Sequence, residues 1–194
     1  MGKHVKGEHV RGKHGAIGVA IGCVAAVMLL LGGCGPNESS RAKMYGSEQQ
    51  LAQDSTAIVV GNVDGRTTLE QGDDGHTKFT VSNVIVAEKI KGGGDADVGE
   101  TIQVRQTGVE GESQHDPILQ DDVTYLLYLS PSGLSGDAAA QYYVTGATAG
   151  MYMADTNHLI PDRRAIDTLV FKRVDAQSGD KLPEHIQTSQ ISKD

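Results

Sequence analysis

Val123 to Ser130, VTYLLYLS, is the most continuously apolar stretch beyond residue 34, and it stops at Pro131. A run this short, bounded by a breaker, has the pattern of a strand buried in a sheet. Its neighbours follow the same grammar. Thr56 to Val63, TAIVVGNV, reads as a first strand with a kink or bulge at Gly61, ending near Asp64-Gly65. In Thr77 to Ile90 Phe79 and Val81 alternate, then Val84 and Val86 after a slip at Ser82-Asn83, a second bulge candidate. Ile102 to Gln106 makes a third strand, Gln141 to Gly146 a fifth and Gly150 to Ala154 a sixth. In 162–175, Ile166, Leu169, Val170 and Val174 fit helical spacing, while Thr168 to Val174 also fit a continued sheet; a helix start over 162–168 is the preferred reading. Ser47-Glu48-Gln49-Gln50 has capping-box spacing ahead of Leu51-Ala52 and predicts a short helix. Residues 181–194 read as a frayed polar tail. These patterns predict a mainly β fold, a small barrel or sandwich of five to seven strands with one or two short helices.

The N-terminal part follows a different logic. Lys3, Lys6, Arg11 and Lys13 stand against Glu8 alone, and Ala16 through Leu31 is free of charge. A basic flank, an apolar core and small residues after it have the layout of a secretory signal. The apolar core falls short of the ~20 residues that a spanning helix needs. Leu31-Gly32-Gly33-Cys34 resembles the lipobox of bacterial lipoproteins. That resemblance implies alkylation of the Cys34 thiol by a diacylglyceryl group and cleavage between Gly33 and Cys34. Two acyl chains anchor a protein stably where one does so marginally. The expected organisation is a signal peptide over 1–33, a lipidated N-terminus and flexible tether over 34–46, a single β-rich domain over 47–180 and the polar tail over 181–194. The expected location is extracytoplasmic, on the outer face of the cell membrane.

Cleavage would leave 161 of the 194 residues and move the formal charge from −8 to −11, because the leader holds four of the basic residues and one acidic residue. An acidic domain lacks the clustered lysine and arginine with which proteins neutralise phosphates, so nucleic acid is not an expected partner. Cys34 would then be the remaining cysteine, which excludes an intrachain disulfide and a cysteine-based zinc site. The domain must hold together through its core.

The order of a kinked first strand, a long second strand, a third strand, a loop and a buried fourth resembles small OB-like or netrin-like barrels. The run AIVVGNV, VIVAEKIKGG, IQVRQTG, YLLYLSP is similar to a group of bacterial lipoproteins of unassigned function. These are packing and turn residues, so the resemblance bears on fold and leaves activity open.

Chemistry-bearing patterns are sparse. His76, His115, His158 and His185 are spread along the chain without metal-ligand spacing and read as loop histidines. Glu70 with Asp73-Asp74, and Asp95, Asp97 and Glu100, read as solvated turns, because neither follows a calcium-loop order. Gly133-Leu134-Ser135-Gly136 lacks the spacing of a nucleophile elbow and reads as a loop. Gly92-Gly93-Gly94 precedes no clear helix and is a weak phosphate cradle. Tyr142 and Tyr143 are the candidate ligand contacts, since adjacent strand residues point to opposite faces and one of the two rings must face outward. No catalytic residue, metal or cofactor is expected. The expected function is a non-enzymatic, membrane-anchored binding domain for an envelope protein or glycan. A solute receptor and an unrecognised hydrolase are the alternatives.

Overall fold

The computed structural model describes residues 43–71, 77–92, 96–112, 117–155, 166–175 and 179–192. Cys34, Gly33, the apolar leader, His76, His115, His158, Asp73, Asp74 and Asp95 lie outside the described residues.

Helix α1 (Glu48–Asp54) opens the domain. Its cap is the one the sequence predicts, with Gln50 N donating to Ser47 Oγ at 3.3 Å. The Gln50 side chain reaches back one residue further than a regular capping box, accepting from Gly46 N at 3.0 Å. The strands follow as β1 (Ala57–Gln71), β2 (Thr77–Gly92), β3 (Thr101–Thr107), β4 (Thr124–Pro131), β5 (Tyr142–Val144), β6 (Met151–Ala154), β7 (Val170–Arg173) and β8 (His185–Gln187). Five of them close a ring in the order β1-β2-β3-β5-β4, with β4 pairing back onto β1 from Ala57↔Leu129 to Asn62↔Thr124. The fold is a small closed, OB-like barrel, which decides between barrel and sandwich. β6, β7 and β8 extend the sheet outward from β4.

This extension explains why VTYLLYLS is apolar at almost every position. On β4, Tyr125, Leu127 and Leu129 fill the barrel with Val59, Val84, Val104 and Met151. Leu126 and Tyr128 face the opposite way, into a second core built with Leu51, Ile58, Tyr152, Phe171 and Ile186. A strand covered on both faces loses the polar half of its alternation. β1 shares the arrangement, with Val59 inside and Ile58 and Val60 in the outer core.

The segment from β5 to β6 runs antiparallel to β4 and is interrupted once. Leu129 pairs with Val144 and Leu127 with Met151, so Thr145–Gly150 all bulge out opposite Tyr128. The bulge is pinned at its neck by Thr145 N donating to Tyr128 O at 2.8 Å and Tyr128 N donating to Gly150 O at 2.9 Å. A side chain at Gly150 would place its Cβ 2.8 Å from Thr145 O and 2.9 Å from Tyr128 O. Both are backbone atoms of the pinned neck, which cannot swing aside. Gly150→Ala is therefore expected to destabilise the domain by about 1–3 kcal/mol, the usual cost of overpacking, read as a lower urea midpoint with the slope unchanged.

Several expectations are corrected. The first strand does not end near Asp64-Gly65 but continues to Gln71 through a register shift between Val63 and Arg66. The extra residue there lies on β1, opposite Asn83, and β2 keeps its alternation unbroken across Ser82-Asn83. Phe79 and Val81 point away from the barrel interior, and that reversal mimicked a slip. In 162–175, the sheet alternative holds for Val170–Arg173, which form β7, while residues 162–165 of the expected helix start lie outside the described residues. The tether was expected to run to residue 46, yet Tyr45 is buried and tied down, its N donating to Asp180 Oδ1 at 2.7 Å and its O accepting from Lys181 N at 2.8 Å. Burial and then its hydrogen bond to Asp54 push the Tyr45 hydroxyl up to about 12.

The largest correction concerns 181–194, which is no frayed tail through Ser192. β8 pairs with β7, Leu182, Ile186 and Ile191 enter the outer core, and a 3-10 helix follows at Thr188–Gln190. Glu48 closes the arrangement. Its carboxylate accepts from the Tyr128 hydroxyl at 2.8 Å and from Ser192 N at 3.3 Å, joining α1, β4 and the C-terminal segment.

Candidate functional site

The candidate tyrosines stand where β3 and β5 run parallel, with Val104 beside Tyr142 and Arg105 beside Tyr143. Val104 lies in the barrel interior, and Tyr142 packs half-buried against that same core. Tyr143, half-buried, belongs to the outer face with Arg105. The structure thus separates the two rings, one against each of two concavities.

Arg105 is the residue that sequence reading passed over. It occupies an outward position of β3, yet only 3% of it is exposed. Its guanidinium lies 3.9 Å from the centroid of the Phe79 ring, a cation–π contact worth about 0.5–2 kcal/mol. Arg105 Nη1 donates to Gln141 Oε1 at 3.4 Å. Because a guanidinium only donates, it turns the oxygen of Gln141 toward itself and the amide nitrogen away. Gln141 Nε2 then donates to Gln103 Oε1 at 3.2 Å, and Gln103 Nε2 to Asn83 Oδ1 at 3.5 Å. One buried cation thereby orients three amides, from the residue just before β5 across β3 to β2. The reversal at Phe79 and Val81 was the signal in the sequence, since an apolar pair on the outer face of a strand needs something to cover it.

On one side of this chain is a concavity of about 300 Å³, lined by Asn83, Thr101, Ile102, Gln103, Ala140 and Tyr142. It sits at the lower end of ligand-pocket volumes, which run from about 300 to 1,000 Å³. On the other side, Arg105, Gln106, Thr107, Tyr143, Val144 and Ala147 enclose about 100 Å³, with Ala147 at φ 56° in the left-handed region. The larger concavity offers amides, a hydroxyl and an aromatic ring without a formal charge. Such groups hydrogen-bond sugar hydroxyls or a peptide backbone and stack on an apolar ring face.

The remaining tyrosines are structural. Tyr125 accepts from Gln120 N at 3.1 Å inside the barrel. Tyr128 and Tyr152 are fully buried, their ring centroids 6.1 Å apart, and burial first of all raises both hydroxyls far above the usual tyrosine range. His185 is exposed on β8. Among the acidic residues, Asp97 pairs with Lys89, and Glu70 stands opposite Lys78 on β2. Gly92 closes against Thr56 and Ala57 at φ 118°, which makes it a packing glycine. Gly133–Ser135 lead into a 3-10 helix at Gly136–Ala140, where no helix was expected. Among the described residues no three His, Cys, Asp or Glu converge as metal ligands, and no helix is long and apolar enough to cross a membrane.

Compared with models of known protein families and with curated proteins, the chain matches none.

Proposed function

We propose that this chain is an exported lipoprotein, tethered at the outer face of the cell membrane through a diacylglyceryl group on Cys34, whose barrel binds another envelope component, protein or glycan, without catalysing a reaction. The membrane half of this reading is supported by the lipobox-like Leu31-Gly32-Gly33-Cys34 at the end of an apolar core. The binding half rests on one observation, the oriented amide chain Gln141, Gln103, Asn83 beside the Tyr142 concavity. Gln103 is exposed and Asn83 half-buried, and amides held in fixed orientation have already lost the rotamer freedom that binding would otherwise cost.

The test is cross-linking mass spectrometry on intact cells. The native chain is expected to yield a reproducible envelope partner, and Cys34→Ala to lose it while appearing in the medium. Asn83→Ala with Gln103→Ala, in the anchored chain, is expected to lower that yield at least tenfold. Equal release of the native and Cys34→Ala forms would reject the anchor, and an unchanged yield from the double variant would reject the amide face.

A further inference from the structure

β1 runs past the barrel, and its second half has a bare edge. Ala57–Asn62 pair with β2 on one side and β4 on the other, whereas Arg66–Gln71 pair with β2 alone among the described residues. The direction of the free groups follows from β2. Lys78 O accepts from Gly108 N at 2.7 Å, and Val86 N donates to Glu100 O at 2.9 Å, so the even-numbered residues of β2 turn their amides toward β3. Phe79 and Val81 then turn theirs toward β1, where they meet Leu69 and Thr67. Thr68 and Glu70 are left with N–H and C=O directed away from the sheet. Thr67 through Glu70 are all exposed, with Leu69 38% accessible.

The opposite edge of the same hairpin is guarded. Where β2 extends beyond β3 it carries Lys89, bonded to Asp97, and Lys91, whose Nζ donates to Ala52 O. Lysines and covering segments of this kind keep an edge from pairing with foreign strands. RTTLEQ, residues 66–71, has neither lysine nor proline. Its surroundings are acidic, with Asp64, Glu70, Glu110, Asp121 and Asp122 gathered about the strand. The cations near this edge are already paired, Arg66 with Glu110 at 2.9 Å and Asp121 at 3.0 Å, and Lys78, opposite Glu70 on β2, with Glu112 at 2.8 Å. Burial works against the charge of Arg66, but its two carboxylates outweigh burial and raise its pKa.

We propose that Arg66–Gln71 accept an extended segment of an envelope protein as an added strand, one that carries lysine or arginine at alternate positions facing Glu70 and the neighbouring carboxylates. The inference rests on the binding role proposed above and adds the class of partner. Donors and acceptors that recur every second residue match another backbone, which repeats at the same interval, better than they match a sugar chain. The acidic surroundings select the sign of the side chains.

The experiment places a photo-reactive residue at position 69 of the full anchored chain, irradiates intact cells and maps adducts by mass spectrometry, with position 89 as the guarded-edge control. Adducts from position 69 are expected to fall in one extended, alternately basic segment of a second protein, and position 89 to give at least tenfold fewer. Thr68→Pro removes an outward N–H and leaves the ladder to β2 intact, so it should cut the yield at least tenfold. Glu70→Lys reverses the charge without touching the backbone and should cut it severalfold, which keeps the test decisive should the proline variant unfold. Adducts on a glycan, on a second copy of this chain or on a helical surface would overturn the proposal, as would a yield that Glu70→Lys leaves unchanged. A partner still captured through Asn83 and Gln103 in that case would leave the binding role standing. Loss of capture at both surfaces would remove both.

Discussion

A chain ended at Asp180 is expected to have no stable fold at 25 °C. The truncation removes Leu182, Ile186 and Ile191, each less than a tenth exposed. Burial of three such side chains contributes roughly 5–9 kcal/mol at about 1.5–3 kcal/mol apiece. It also removes the β7–β8 ladder and the Ser192 N–H that binds Glu48. Small domains are stable by only about 5–15 kcal/mol. The loss therefore consumes most or all of what holds the domain together. Far-UV circular dichroism and urea unfolding of the shortened chain should show no cooperative transition. A midpoint equal to that of the full chain would mean the last residues are as dispensable as their polar composition suggests.

Replacing the two phenylalanines of the chain separately should give opposite results. Phe171 on β7 is fully buried against Leu126, Tyr152 and Ile186 in the outer core, and Phe171→Ala is expected to cost about 3–5 kcal/mol of stability. Phe79 lies half-buried on the outer face beneath Arg105. Phe79→Ala should cost mainly the cation–π contact, about 0.5–2 kcal/mol, while freeing the guanidinium that orients Gln141 and, through it, Gln103. Urea midpoints would separate the two variants, and cross-link yield at the amide face would fall for Phe79→Ala even where its midpoint stays close to that of the native chain. Equal midpoint shifts would show that Phe79 belongs to the core and that the outer face has no separate organisation.

The candidate site was only half legible, for a reason visible in particular residues. Tyr142 and Tyr143 could be assigned to opposite faces from strand geometry alone, and the structure separates them in that way. Arg105 was missed, because IQVRQTG reads as an ordinary alternating strand with a solvated arginine and the one signal for it lay on another strand, in Phe79 and Val81. What makes Arg105 unusual is Phe79, which is 26 positions away in sequence and is brought beneath it by the β2–β3 register. The bare edge of β1 was hidden in the same way. Residues 64–71 are polar enough to pass for a loop, and only pairing with β2 makes them a strand.

Local pattern by itself determined the Ser47 cap of α1, the strand character of residues 57–63, 102–106 and 124–130 and the mainly β class. Those features depend on residues a few positions apart, whose spacing alone decides whether a helix or a strand can bury them. The bulge expected in the first strand at Gly61 lies instead on β2, where Ala87 is the extra residue opposite Val60 and Gly61. Tertiary structure alone decided that the sheet closes through β4 and β1, and that Thr145–Gly150 leave the ladder opposite Tyr128. It also decided that the polar C-terminal segment completes a core and that a buried arginine orients an amide face. Each of these depends on which distant strand lies alongside. Side-chain alternation repeats every two residues whatever the partner, so it carries no information about that choice.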